Sequence, residues 1–164
     1  VAKNIMDLTT SGKLGAVLTI GGHNNEDICI STFMNRLNGL ANEFANTLNN
    51  LQVREDAGPP PMVSAYSNGS NLIKATSPLF VNSSDGTTSG ITAGNISVNE
   101  SIINSPQAIA CAYVEATDDT SWEIVDKQAI GNNKNAQAFY DTRNYKNSMF
   151  GSKTFLFGES SFAV

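Results

Sequence analysis

Few residues in this chain are of the types that catalyse reactions. The sequence contains one histidine, His23, and two cysteines, Cys29 and Cys111. Nucleophilic catalysis needs a hydroxyl or thiol, a base that activates it, and a third group that orients the base. His23 follows two glycines and precedes two asparagines, a context typical of a solvent-exposed loop that leads into a helix. The sequence therefore predicts no catalytic residues of this kind.

The cysteines do not show the spacing of a metal site. A structural zinc site usually contains close pairs of ligands, whereas Cys29 and Cys111 are far apart in the sequence. Neither thiol has neighbours that would lower its pKa, so we expect both to behave as small buried hydrophobic residues. We predict no metal and no cofactor, and the sequence leaves open whether the two cysteines form a disulfide.

Two pairs of adjacent acids, Glu26-Asp27 and Asp118-Asp119, provide the carboxylates that glycoside hydrolysis requires. Adjacent acids in polar loops are more often solvated or cap backbone amides. The segment Gly12-Lys13 lacks the upstream glycine of a P-loop, and no Gly-x-Gly-x-x-Gly motif is present. We predict that the protein is not an enzyme, and a small hydrolase that uses the acidic pairs remains a third hypothesis.

Composition excludes two further classes of partner. The formal net charge is −5, which disfavours neutralisation of many phosphates, so we expect no nucleic acid. The longest apolar runs are three or four residues, far below the roughly 20 that cross a bilayer, so we expect no membrane insertion. Charged residues make up only 15% of the chain, and 20 asparagines, 17 serines and 13 threonines supply most of its polarity.

The strongest structural signal is a helical repeat of apolar residues between positions 33 and 51. They recur in steps of three and four, which predicts an amphipathic helix from about residue 25 to residue 52. Its opposite face carries asparagines. A seven-residue spacing also suits packing beside other long helices. We expect the packing and assembly face to consist of Phe33, Leu37, Leu40, Phe44, Leu48 and Leu51.

The remainder of the chain predicts shorter elements. Three consecutive prolines at 59–61 end the helical region, and residues 53–92 read as a loop rich in Pro, Ser and Asn or as a small β excursion. Residues 93–164 contain an alternating strand pattern around Ile96 and Val98, and predict short helices near 106–114 and 133–144. The expected fold class is α+β: an axial helical segment over 1–52, a small antiparallel β region and shorter helices in one compact domain.

Several segments, in this order, resemble the FlgK family of flagellar hook-associated proteins, which join the hook to the filament. The residues 37–49, LNGLANEFANTLN, are similar to the axial helix of that family. The segment GNNKNAQA at 131–138 resembles a glycine- and asparagine-containing element of the same family. The other matching segments are residues 11–18, 91–99 and 106–110. Where the family often has Asp-x-x-Gly-x-x-Gly after the helix, this chain has DAGPPP at 56–61.

The resemblance implies a structural adapter of the extracellular flagellum, without enzymatic activity. It implies export as an unfolded chain by the flagellar secretion apparatus, without a cleaved signal. The implied partners are the hook protein, the second junction protein and other copies of the full-length chain. Because the terminal helical segments of flagellar axial proteins are not recognisable here, the chain is expected to be an internal fragment.

The Asn, Ser and Thr content favours one alternative from another class, an adhesin-like or carbohydrate-binding β module. That alternative predicts a β-sandwich with no helix through residues 33–51.

Overall fold

The computed structural model describes residues 30–127 and 131–142, and the backbone of residues 146–147 and 155–156. One long helix, shorter helices and small antiparallel sheets confirm the predicted α+β class. The elements in chain order are α1 (Ile30–Gln52), β1 (Glu55–Asp56), β2 (Met62–Asn68), β3 (Asn71–Lys74), β4 (Phe80–Asn82), β5 (Ile96–Val98), α2 (Glu100–Asn104), a 3-10 turn (Pro106–Ala108), β6 (Ala112–Glu115), α3 (Lys134–Asp141), β7 (Lys146–Asn147) and β8 (Phe155–Leu156).

The long predicted helix is present as α1. It ends at Gln52, as predicted, and the backbone N–H of Val53 donates to the carbonyl of Asn49 at 3.0 Å, which closes the last turn. The sequence of α1 contains no proline and has a high content of Leu, Ala and Asn. The predicted start, at residues 25–29, lies outside the described residues.

The main sheet is built around β2. All of its pairings are antiparallel, and β1 and β6 both pair with Val63, while β3 and β6 both pair with Ala65. Because a strand has only two hydrogen-bonding edges, β1 and β3 share one edge of β2 and β6 occupies the other. β4 pairs with β5 and β7 pairs with β8 in two smaller antiparallel sheets. The predicted excursion at 53–92 therefore contains strands β1 to β4.

A small apolar core lies on one face of this sheet, and the partly buried Trp122 packs against it. Its buried members are Val63, Ala65, Leu72, Ala112, Val114, Ala116 and Ile124. The prediction of a helix over 106–114 is wrong in its second half, where β6 begins at Ala112. Burial of every second residue, at Ala112, Val114 and Ala116, is the period of a strand and overrides the helical interpretation of this segment.

The strand predicted around Ile96 and Val98 is present as β5. The strand β5 covers only Ile96–Val98, because Asn99 then caps the helix α2 by accepting a hydrogen bond from the Ser101 backbone N–H at 3.0 Å. Asparagine at an N-cap position thus ends the strand and begins the helix. Upstream of β5, residues 83–90 are exposed, whereas Asn82, for which the same polar tract also predicts exposure, is buried.

Helix α3 confirms the short helix predicted near 133–144. Its buried residue is Asn135, which is 1% exposed, whereas Tyr140 is 56% exposed. Cys111 is exposed, so the expectation of a buried thiol is wrong for this residue. His23, Cys29, the acidic pair Glu26-Asp27 and the apolar ending at 153–164, apart from the backbone of β8, lie outside the described residues.

Candidate interaction site on helix α1

The buried residues of helix α1 lie on a mostly polar stripe. We call this stripe the amide face. It consists of Asn38, Asn42, Ala45, Asn49 and Gln52, which follow one another in steps of four, three, four and three residues and so lie on one side of the helix. The buried residues of α1 are Ala45, Asn49 and Gln52. The helix is therefore anchored by amides around one alanine.

The two buried amides each pair with the backbone of another segment. Asn49 accepts from the backbone N–H of Phe80 at 2.8 Å and donates to the carbonyl of Phe80 at 2.8 Å. Gln52 accepts from the backbone N–H of Ala110 at 3.0 Å and donates to the carbonyl of Ala108 at 2.8 Å. A carboxamide has an oxygen that accepts hydrogen bonds and an NH2 group that donates them. It can therefore pair with a backbone N–H and a backbone carbonyl in the way that a residue of a neighbouring strand would.

Two further amides extend the amide face toward the middle of α1. Asn42 donates to the carbonyl of Ile91 at 3.3 Å, and Asn38 accepts from the backbone N–H of Ala93 at 3.1 Å. Both asparagines are half-buried, and Asn42 also accepts from Asn46 one turn further along the helix. The segment 91–93 is thus held along α1 by side chains.

The carboxyl end of α1 is satisfied by side chains from two other elements. The carbonyl of Leu51 accepts from the Ser64 hydroxyl at 2.7 Å and from Asn135 Nδ2 at 3.0 Å. Asn135 Nδ2 also donates to the carbonyl of Ala110 at 2.8 Å. Unpaired terminal carbonyls of a buried helix end are costly, so Ser64 and Asn135 fix where α1 meets the sheet and α3.

The predicted apolar residues lie on a different side of the helix. At about 100° per residue, their mean direction is about 120° from that of the amide face. We call Phe33, Leu37, Leu40, Phe44, Leu48 and Leu51 the apolar stripe. Its carboxyl-terminal part is half-buried, and the ring of Phe44 packs against Phe80 with centroids 5.3 Å apart.

The amino-terminal part of the apolar stripe is open to solvent. Phe33 is 66% exposed and Leu37 is 37% exposed. Ile30, on the same side, is 58% exposed, and the adjoining Met34, which is turned toward the amide face, is 46% exposed. Large apolar residues that adjoin one another on one helix side are a feature of surfaces that bind another protein, whereas single exposed apolar residues are not. The structure thus places the predicted assembly residues on a surface that the described residues cover only partly.

A charged cluster follows the end of α1. Arg54 pairs with Asp56 at 2.5 Å, and its guanidinium carbon lies 4.3 Å from the centroid of the Tyr113 ring. The Tyr113 hydroxyl donates to Asp56. This hydrogen bond, with the Arg54 charge, lowers the pKa of Asp56 against the effect of its burial. Burial, together with the same hydrogen bond, raises the pKa of Tyr113 to about 12.

This cluster borders a groove at the carboxyl end of α1. The groove has a volume of about 710 Å³ and lies between the carboxyl end of α1, β1 and α3. Its walls include Leu51 of the apolar stripe, Arg54, Asp56 and Asp141. Among the charged groups that line it, Arg54 pairs with Asp56, whereas Glu55 pairs with Lys74 outside the groove and Asp141 accepts a hydrogen bond from Gln137.

Of the candidate catalytic acids, Asp118 and Asp119 lie among the described residues. Asp118 accepts hydrogen bonds from the backbone and hydroxyl groups of Ser121 and Thr120, and these hold its pKa well below its usual range. It therefore caps a turn. Within residues 30–127 and 131–142, no three His, Cys, Asp or Glu side chains are grouped as metal ligands, and no helix has the length and apolarity needed to span a bilayer.

Sequence reasoning found the apolar stripe but placed the asparagines on the face opposite the packing contacts. The signal that identifies the amide face is its own heptad-like spacing, since Asn38, Ala45 and Gln52 are separated by sevens. Hydrophobicity scales do not detect this repeat because Asn38 and Gln52 are polar. Comparison with protein-family models, curated proteins and solved structures finds no match for this chain.

Proposed function

We propose that the chain is part of a structural protein of the bacterial flagellum, an adapter at the junction between hook and filament that catalyses no reaction. The resemblance of the segments at 11–18, 37–49, 91–99, 106–110 and 131–138 to the FlgK family supports this proposal. In this proposal the protein is exported by the flagellar secretion apparatus and acts outside the cell. Its partners are the hook protein, the second junction protein and other copies of the full-length chain.

The observation that carries the proposal is the difference between the two sides of α1. The amide face attaches the helix to its own domain, and the apolar stripe, whose first members Phe33 and Leu37 are exposed, remains accessible to a neighbouring helix. A protein that joins others along an axis needs such a helix, fixed on one side and apolar on another. Burial of the stripe against a partner would contribute about 25 cal/mol for each Å² of apolar surface removed from water.

The alternative β module has a different structural signature. It predicts extended backbone through residues 33–51, and these residues lie in α1. No observation on the described residues favours it over the adapter.

A gene deletion tests the proposal directly. Cells without this protein should build hooks but release filament protein unattached into the medium, and the wild-type gene supplied in trans should restore attached filaments. Electron microscopy and a blot of the medium for filament protein read out both results. Filaments that stay attached in the deletion strain would overturn the proposal.

A further inference from the structure

Two Asn-Gly dipeptides occur in the chain, at Asn38-Gly39 and Asn68-Gly69. We propose that Asn68 is a site of spontaneous deamidation in the folded protein, and that the fold protects Asn38 from the same reaction. This inference concerns the chemical ageing of the molecule and does not depend on the flagellar proposal. It rests on the contrast between the two surroundings.

The reaction needs only water as a second reactant. The backbone nitrogen of the glycine attacks Cγ of the asparagine, a five-membered succinimide forms, and Nδ2 leaves as ammonia with the proton that the glycine nitrogen gives up. Water then opens the ring at one of its two carbonyls. Opening at one carbonyl gives aspartate, and opening at the other gives isoaspartate, in which the main chain runs through the side chain. Glycine favours this attack because it has no side chain that obstructs it.

Asn68 lies at the tip of the β2–β3 hairpin, where the chain is most accessible. The two turn residues, Gly69 and Ser70, are exposed, as is Asn68 itself. Among the hydrogen bonds of the described residues, none involves the Asn68 carboxamide. Gly69 has φ +66°, and no heavy atom lies within 4 Å of the place where a side chain would begin. Within the described part of the chain, no hydrogen bond holds the Asn68 carboxamide away from the glycine, and the space beside Gly69 is open.

The attack also requires the Asn68 backbone to leave its extended conformation. The last pair of the β2–β3 ladder, Asn68 with Asn71, restrains it. Opening a single terminal pair at an exposed hairpin tip is among the least costly motions of a folded protein. The hairpin therefore slows the reaction only modestly.

Asn38 is in the opposite situation. Gly39 lies inside α1, where the helical backbone must unwind before its nitrogen can reach the side chain. The carboxamide of Asn38 is half-buried, and its Oδ1 accepts the Ala93 backbone N–H at 3.1 Å. Both contacts must break first. Reaction at Asn38 thus requires a larger unfolding event than reaction at Asn68.

The product changes both charge and backbone at the hairpin. A new carboxylate at position 68 borders a cavity of about 370 Å³ that Lys74 and Lys127 also line. Isoaspartate lengthens the main chain by one carbon beside the pair with Asn71, which disturbs the hairpin register at its end. The net charge of −5 becomes more negative by one unit.

The test is a time course of deamidation in the folded chain and in the chain unfolded by denaturant, both at mildly alkaline pH. Peptide mapping by mass spectrometry with isoaspartate-specific detection follows Asn38 and Asn68 separately. We expect both sites to react at comparable rates when unfolded. In the folded chain we expect Asn68 to react at least about tenfold faster than Asn38, because the local opening free energies differ by more than about 1.4 kcal/mol.

Asn68→Gln serves as the matched control variant and should abolish the modification of that peptide without affecting Asn38. Equal protection of Asn38 and Asn68 by the fold, or faster reaction at Asn38, would overturn the inference. A folded chain in which Asn68 reacts no faster than the asparagine of Asn35-Arg36 would also overturn it.

Discussion

The two halves of helix α1 differ in their surroundings. From Ala45 to Gln52 the helix is held by buried amides that pair with the backbone of Phe80, Ala108 and Ala110. From Ile30 to Leu37 the apolar side chains are exposed. The comparison shows that buried amides attach the carboxyl-terminal half of α1 to its own domain, whereas large apolar residues of the amino-terminal half are exposed. This is the reverse of the usual distribution in an isolated globular domain.

The largest expected effect on stability comes from removing a buried amide in the part of α1 from Ala45 to Gln52, which we call the anchored half. Gln52→Leu keeps the size of the side chain but leaves the Ala110 N–H and the Ala108 carbonyl without partners. Unsatisfied buried groups cost about 1 to 3 kcal/mol each, so the free energy of unfolding should fall by about 3 to 5 kcal/mol. Denaturant unfolding measures the change. Asn35→Leu, on the exposed part of α1, is the control and should stay within about 0.5 kcal/mol of the parent protein.

The second prediction compares two phenylalanines of the apolar stripe. Phe44 packs against Phe80, so Phe44→Asp should destabilise the fold by about 2 to 4 kcal/mol. Phe33 is 66% exposed, so Phe33→Asp should change stability by less than about 0.5 kcal/mol. If the adapter proposal is correct, both variants should fail to attach filaments. If cells with Phe33→Asp attach filaments at the wild-type level, the exposed half of α1 is not required for assembly.

Much of this contrast could be predicted from the sequence, and part of it could not. The spacing of the apolar residues predicted α1, because a repeat of three and four residues is the period of an amphipathic helix. The end of α1 at Gln52 was predicted as well. The amide face could not be predicted, because a buried carboxamide is stable only when tertiary structure supplies its backbone partners. Strand β6 was missed for a related reason: the burial of Ala112 and Val114 depends on pairing with β2, which lies far away in the sequence.

A third prediction concerns the charged cluster of Arg54, Asp56 and Tyr113, which lies just after the end of α1. The folded state holds the Tyr113 proton more tightly than the unfolded state, since the pKa rises from 10.0 to about 12. Its stabilisation is therefore complete below pH 10 and is lost as the pH rises toward 12, by about 1 to 2 kcal/mol. Urea unfolding across this range measures the slope. Tyr113→Phe should flatten it, and Tyr140→Phe, on the exposed side of α3, should not.

The smallest expected effect lies far from α1, in the turn capped by Asp118. Hydrogen bonds from Ser121 and Thr120 lower the pKa of this carboxylate, so its stabilisation is present above pH 3.8 and declines as the pH falls below that value. Asp118→Asn should lower the melting temperature slightly at neutral pH, and the difference from the parent should shrink in acid. Asp119→Asn is the neighbouring control. A larger loss than that of Gln52→Leu would show that this turn, rather than the anchored half of α1, dominates stability.

The central claim is that the exposed half of the apolar stripe contacts another axial protein, and site-specific photo-crosslinking in assembled flagella tests it most directly. A photoreactive amino acid is placed at Phe33 or at Asn35, which lie on nearly opposite sides of α1, about 160° apart. We predict that position 33 crosslinks to the hook protein, the second junction protein or a second copy of this chain, identified by mass spectrometry, and that position 35 gives little product. Crosslinks from position 35 with none from position 33 would contradict the account.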